Sequence, residues 1–72
     1  MKAWVTKDKD GDVFLFWKDK PYKDEVTNAW TNKSVTCESL DEYSPFHDIL
    51  DNLDPHWEDE EPIEVDITIK TD

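Results

Sequence analysis

Three groups of residues in this chain have side chains that could do chemistry. The first is Asp8, Asp10 and Asp12 around Gly11. Alternate carboxylates next to a glycine suggest a calcium loop. The spacing fails, because with Gly11 at the sixth loop position the twelfth is Trp17, where a bidentate glutamate is needed. The turn therefore reads as a solvated hairpin turn. The second group is His47, His56 and Cys37. Structural zinc needs a close pair such as Cys-x₂-Cys or His-x₃-His, and none occurs. Both histidines read as surface residues. Cys37 has no flanking nucleophile signature and no evident base, so it reads as a small core or edge residue. The third group is the run Glu58, Asp59, Glu60 and Glu61, with Asp54, Glu64 and Asp66 beside it. Paired carboxylates can hydrolyse glycosides, but only in a cleft that raises one pKa, and an exposed run supplies no cleft. No triad, metal set or phosphate loop is present. The residues predict a protein that is not an enzyme and takes no cofactor and no metal.

Two readings of the acidic group stay open. In one, the carboxylates imitate the phosphates of DNA and occupy the Lys/Arg groove of a nucleic-acid-binding protein, with fast, salt-sensitive association. In the other they only keep the protein soluble. The charge distribution motivates both. Residues 1–36 hold seven Lys and six Asp/Glu, a net +1. Residues 37–72 hold one Lys and thirteen Asp/Glu, a net −12, and the two halves sum to −11. A chain so negative repels nucleic acid and anionic membranes, so its expected partners are basic protein surfaces. The aromatic residues could stack bases, but that needs a basic groove beside them.

The elements that must hold these residues follow from pattern. Residues 3–7 and 13–18 are β-rich runs around a hairpin signal. Asp8 suits the first position of a type I turn and Gly11 the left-handed position after it. A three-residue Lys9-Asp10-Gly11 loop would set Trp4 opposite Phe16 and Val5 opposite Leu15. A two-residue Asp10-Gly11 loop would set Trp4 opposite Trp17. Asp8 favours the first. Both faces of the second strand are apolar, so it should be the central strand. Residues 18–25 read as a charged connection containing Pro21. Residues 26–31 and 33–38 read as short strands around an Asn32-Lys33 turn, with Trp30 and Val35 inward.

Ser39 to Glu42 has capping-box spacing, but Pro45 limits any helix there to one turn. Ser44 and Pro45 make a better start, at the N-cap and first position of a helix over about 45–53. Phe46, Ile49, Leu50 and Leu53 then form one apolar stripe. Asp48 suits the helix dipole, whereas Asp51 and Asp54 do not. A helix this short must dock on a sheet to persist. Ile63, Val65, Ile67 and Ile69 alternate with Glu64, Asp66, Thr68 and Lys70, the mark of a half-buried last strand. It should pair with the N-terminal hairpin and hold Glu64 and Asp66 rigidly. Trp57 reads as a lid over the helix end. The fold class expected is α+β: an antiparallel sheet of three to five strands with one short α-helix packed on a face.

At 72 residues the chain reads as a single domain, residues 1–72. A chain this short buries only about 60% of its unfolded surface. Four Trp, three Phe and two Tyr compensate with large buried areas. A mean hydropathy of −0.88 borders on disorder, but the periodic segments and the tryptophans predict a fold. One cysteine excludes an internal disulfide, and a small secreted domain would more often be stapled by several. Met1-Lys2-Ala3-Trp4 opens no apolar leader, and no run is long enough to span a membrane. The expected location is the cytoplasm.

Certain stretches also resemble a known group. Trp4-Val5-x-x-Asp8-x-Asp10-Gly11, Leu15-Phe16, Lys20-Pro21, Trp30, Trp57-Glu58-Asp59-Glu60-Glu61-Pro62 and Ile63-Glu64-Val65 resemble small uncharacterised proteins of bacteriophages, prophages and gut bacteria. The first 21 residues and residues 54–67 carry the resemblance, and residues 32–53 do not. That group has no assigned activity, so no residue role transfers. The resemblance implies a phage-type accessory protein in the host cytoplasm. Small acidic phage proteins often inhibit host machinery, including CRISPR and restriction enzymes, which is an analogy only. The alternative is an interaction module whose acidic face serves solubility and whose working surface is an exposed aromatic patch.

Overall fold

In the computed structural model, residues 2–34, 36–41, 43–44 and 46–67 are described. The N-terminal hairpin forms in the register that Asp8 favours. Strands β1 (Lys2–Lys7) and β2 (Val13–Trp17) are antiparallel, with Trp4 opposite Phe16 and Val5 opposite Leu15. The Asp8 N–H donates to the Asp12 carbonyl at 2.8 Å, and the Gly11 N–H to the Asp8 carbonyl at 3.0 Å. Asp10 Oδ1 accepts the Asp12 N–H at 3.0 Å, closing the turn from inside. Gly11 sits at φ +102°, where a side chain strains the backbone. A Cβ there would meet nothing within 4 Å. Gly11→Ala is therefore expected to cost about 1 kcal/mol through the backbone alone. Urea unfolding checks this, and an unchanged midpoint would refute it.

Strands β5 (Cys37–Ser39) and β6 (Ile63–Asp66) complete a four-stranded antiparallel sheet ordered β5-β2-β1-β6. β2 is an interior strand, as its two apolar faces require, and β6 joins the hairpin on β1. One face of the sheet carries the buried cluster Ala3, Val5 and Leu15, joined by Leu40 and Ile67. Val13, Trp17, Ile63 and Val65 are half-buried at its rim. Strand alternation puts Thr6 and Phe16 on the opposite face, where both are also closed from solvent. Ile69, Thr68 and Lys70, expected in the last strand, lie outside the described residues.

The expected packed α-helix is not found. Residues His47–Asn52 form a 3-10 helix instead, with the Ile49 N–H bonded to the Phe46 carbonyl at 3.0 Å and the Leu53 N–H to the Leu50 carbonyl at 3.2 Å. The fold described is thus small and β-rich rather than α+β. The stripe itself survives, since Phe46, Ile49, Leu50 and Leu53 pack against the buried cluster. In a 3-10 helix residues i and i+3 eclipse, so Phe46 aligns with Ile49 and Leu50 with Leu53. Two tight turns satisfy the same spacing as two α-turns. Ser44 Oγ accepts the Phe46 N–H at 3.2 Å, but no side chain caps the helix that follows. Upstream, the Ser39 capping box is not realised, since Ser39 ends β5; the turn there is made by Asp41, whose Oδ1 accepts the Tyr43 N–H at 2.9 Å.

The middle of the chain also departs from expectation. Tyr22–Asp24 (β3) and Ala29–Thr31 (β4) make a separate two-stranded sheet. β3 lies inside the segment read as a connection, and Val26, read as strand, is 92% exposed in the turn. Asp24 Oδ1 accepts the Val26 N–H at 2.9 Å and Asn28 takes φ 57°, so these two residues build the turn. Only the end of the expected 33–38 strand is realised, as β5. Val35 lies outside the described residues.

Two buried polar side chains tie this small sheet to the large one. Asn32, 2% exposed, points Nδ2 at the carbonyls of Trp17 and Asp19, each at 3.0 Å, and of Thr36 at 3.3 Å. Its Oδ1 accepts the Thr36 N–H at 3.0 Å. Thr36 Oγ1 also bonds the Trp17 carbonyl. At the other end, Asp8 Oδ1 accepts the Trp30 N–H at 3.0 Å, and Trp30 Nε1–H donates to the Lys7 carbonyl at 3.1 Å.

Candidate functional site

The acidic segment leaves the 3-10 helix at Asp54 and ends on β6. Its attachments decide whether it is a surface or a solvated run. Pro55 is buried. The His56 N–H donates to Asp59 Oδ2 at 3.0 Å, and the Asp59 N–H returns to the His56 carbonyl at 3.2 Å. The Trp57 ring lies over the Lys23 ammonium, 4.6 Å from its centroid. The same ammonium is 5.3 Å from the Trp30 ring, so one lysine bridges the loop to the small sheet. Trp57 is therefore half-buried against Lys23 of β3 and does not belong to the buried cluster, contrary to the expected lid over the helix. Glu61 pairs with Lys20 at 2.7 Å on the surface. The run is tied to the small sheet through Trp57 on Lys23, closed on itself by Asp59 and His56, and joined to Lys20 only by an exposed pair at Glu61.

The seven predicted carboxylates divide by what they touch. Asp54 Oδ2 lies 2.9 Å from His56 Nε2. That hydrogen bond, with the charges of Asp54, Asp59 and Glu58, raises the His56 pKa above 6.5. Asp59 is half-buried and spent on the loop backbone. Glu64 faces Lys2 at 3.7 Å, a weak exposed pair. Glu58, Glu60 and Asp66 are exposed and have no partner among the described residues. On β6, Glu64 and Asp66 point to the same outward face, opposite Trp4 and Lys2 on β1. One strand step of two residues separates them by about 6.6 Å. The loop and strand thus leave Glu58, Glu60, Glu64 and Asp66 exposed and engage Asp59 within the loop.

A cleft of about 210 Å³ opens beside the loop, lined by Lys7, Asp8, Lys9, Gly11, His56, Trp57 and Glu58. Asp8 was expected as a solvated turn residue, yet it is only 8% exposed. Burial pushes its carboxyl above the ordinary 3.8. The Trp30 N–H opposes that shift, and the charges of Asp10 and Asp12 add to it. Asp8 and Asp10 are committed to backbone N–H groups, so the turn is not poised as a cation loop. Among the described residues no group of three or more His, Cys, Asp or Glu is arranged to hold a metal.

Cys37 is exposed on the edge strand β5. Local desolvation, and secondarily the Asp8 charge, push its thiol above the ordinary value, which disfavours the thiolate a nucleophile needs. Sequence reasoning missed Lys20 and Lys23 as tethers of the acidic loop. Both sit in a charged stretch far from it in sequence, and no local pattern announces such a pairing. No helix among the described residues is long and apolar enough to cross a membrane. No family model matches the chain, and neither do any curated protein or solved structure.

Proposed function

We propose that this is a non-enzymatic accessory protein of phage or prophage type, which binds and blocks a host protein through its acidic surface. The partner suited to that surface is a basic, nucleic-acid-binding defence enzyme of the CRISPR or restriction class, met in the host cytoplasm. The observation that carries this reading is the tethering of the loop. Lys23 under Trp57 ties the loop to the small sheet, Asp59 on the His56 N–H shapes it locally, Lys20 on Glu61 adds an exposed pair, and pairing to β1 fixes the strand. Carboxylates held in place lose less entropy on docking than solvated ones. A half-chain charge of −12 supplies the steering.

The test is capture of a basic nucleic-acid-binding protein from a bacterial lysate on immobilised protein. Capture is expected at about 0.1 M salt and loss at about 1 M, where the screening length falls from about 10 Å to about 3 Å. Triple reversal of Glu58, Glu60 and Asp66 to lysine should weaken capture about tenfold or more, each exposed pair contributing up to about 1 kcal/mol. Recovery of no such protein at low salt, or equal recovery by the triple variant, would sink the proposal.

A second reading has its own support. Asp54, Asp59, Glu61 and Glu64 already have partners within the chain, and Tyr22 and Tyr43 are 56% and 86% exposed. In that reading the carboxylates confer solubility and the aromatic residues make the contact. Loss of solubility in the triple variant without loss of capture would favour it.

A further inference from the structure

The outer edge of β6 has a defined hydrogen-bonding polarity that follows from the ladders beside it. The Leu40 N–H donates to the Val13 carbonyl at 2.9 Å, and the Trp17 N–H to the Thr36 carbonyl at 3.3 Å. The backbone groups of Val13 and Trp17 therefore point toward β5. In an antiparallel ladder the direction alternates along the strand, so those of Phe14 and Phe16 point toward β1. They meet Thr6 and Trp4, and the Asp8 to Asp12 bond continues the series. Ala3 and Val5 must then point the other way, to Val65 and Ile63 of β6. It follows that the N–H and C=O groups of Glu64 and Asp66 point away from the sheet. No strand lies beyond them among the described residues. Pro62 has the same parity and no N–H, which closes one end of this edge.

We propose that this edge accepts an extended segment of the basic partner as an added antiparallel strand, and that the segment alternates cationic and aliphatic residues. The proposal rests on the acidic-docking reading above and specifies its mode. Residues opposite Glu64 and Asp66 share their face of the sheet, so Lys or Arg there meets a carboxylate. Residues opposite Ile63 and Val65 extend the half-buried apolar face, so aliphatic side chains suit them. Main-chain bonds supply affinity and the alternation supplies specificity, as in strand addition generally. A second copy of this chain is a poor occupant. Antiparallel pairing of β6 with itself sets Glu64 and Asp66 against the same carboxylates, and like charges directly opposite destabilise a strand pair. The charges that keep the edge from self-association thereby select a cationic strand.

The test titrates capped synthetic peptides into the isotopically labelled full-length chain at low salt. One peptide alternates lysine and valine, and one has the same composition in two blocks. Two further isomers of the alternating peptide are N-methylated, at the lysine amides or at the valine amides. The alternating peptide should shift the amide resonances of Ile63, Glu64, Val65 and Asp66. Because Glu64 and Asp66 bond the residues opposite them, methylated lysine amides should weaken binding by at least about tenfold. Methylated valine amides point to solvent and should leave affinity within about twofold. Equal binding by both methylated isomers, equal binding by the block peptide, or shifts confined to other residues would overturn strand addition. If strand addition fails while the triple reversal still abolishes capture, acidic docking stands by another mode. If neither peptide nor basic protein binds, both readings fall together.

Discussion

Asn32→Ala is expected to lower the free energy of unfolding by about 3 kcal/mol, because loss of its amide leaves two part-buried backbone groups, the Thr36 N–H and the Asp19 carbonyl, without a partner at once. Asn32 is 2% exposed and bonds the ends of β2 and β4 to the chain entering β5. A single neutral hydrogen bond contributes about 1 kcal/mol, but each buried group left without a partner costs about 1–3 kcal/mol. The Thr36 N–H loses its acceptor and the Asp19 carbonyl its donor, while the Trp17 carbonyl keeps its bonds from the Asp19 N–H and Thr36 Oγ1. A 72-residue domain has a total stability of about 4–11 kcal/mol, so this one side chain carries a large share. Asn32→Asp should be at least as damaging, since it keeps the shape but replaces the donor with a charge aimed at carbonyls. Guanidinium unfolding followed by tryptophan fluorescence reads the effect. A loss below about 1 kcal/mol for the alanine variant would refute the role assigned to Asn32.

The second large effect separates two substitutions at Asp8. Asp8→Ala removes the acceptor of the buried Trp30 N–H and should cost about 2 kcal/mol. Asp8→Asn keeps an acceptor in the same place and drops a carboxylate that burial and its acidic neighbours disfavour. At pH 7 it should be no less stable than the parent. The pH dependence has a definite sign. The folded pKa of Asp8 is raised above 3.8, so between the two values the folded chain binds more protons than the unfolded one. Stability therefore falls as pH rises through that window and recovers on acidification. His56, raised above 6.5, acts in the same direction at higher pH: the stability it contributes is present below 6.5 and is lost as pH rises through the folded value. Denaturant midpoints taken down through the Asp8 window should rise in the parent and rise less in Asp8→Asn. Matching losses for the alanine and asparagine variants at pH 7 would show that the Trp30 N–H does not depend on this acceptor.

How far these roles can be read from sequence depends on the distance over which each is set. The hairpin register was legible because Asp8 and Gly11 fix it within five residues. β6 was legible because period two survives half-burial. The stripe Phe46, Ile49, Leu50 and Leu53 gave the buried side but not the helix type, since 3.0 and 3.6 residues per turn are hard to tell apart over two turns. β3 was hidden because Tyr22, Lys23 and Asp24 carry no apolar alternation, and their pairing is imposed by a turn at Asp24 and Asn28. Asp8 was legible as a turn former but not as a buried acceptor, because its partner Trp30 lies 22 residues away. The seven carboxylates were legible as charge. Which of them would be engaged was not, because Lys2 and Lys20 reach Glu64 and Glu61 only after the chain has folded.

The pairing of β6 with β1 has a consequence for the order of events during synthesis. The hairpin β1–β2 joins near neighbours and needs little loop closure, so it can form as soon as it is made. Its partner β6 begins only 46 residues after the end of β2 and pairs with β1 across the largest sequence separation in the sheet. Until then the β1 edge and one side of the apolar cluster stay open, and the acidic segment has no scaffold. The proposed binding face is therefore the last part of this sheet to assemble. A nascent or truncated chain lacking β6 would present a sticky edge and no ordered charge, which makes the fold and the proposed activity appear together.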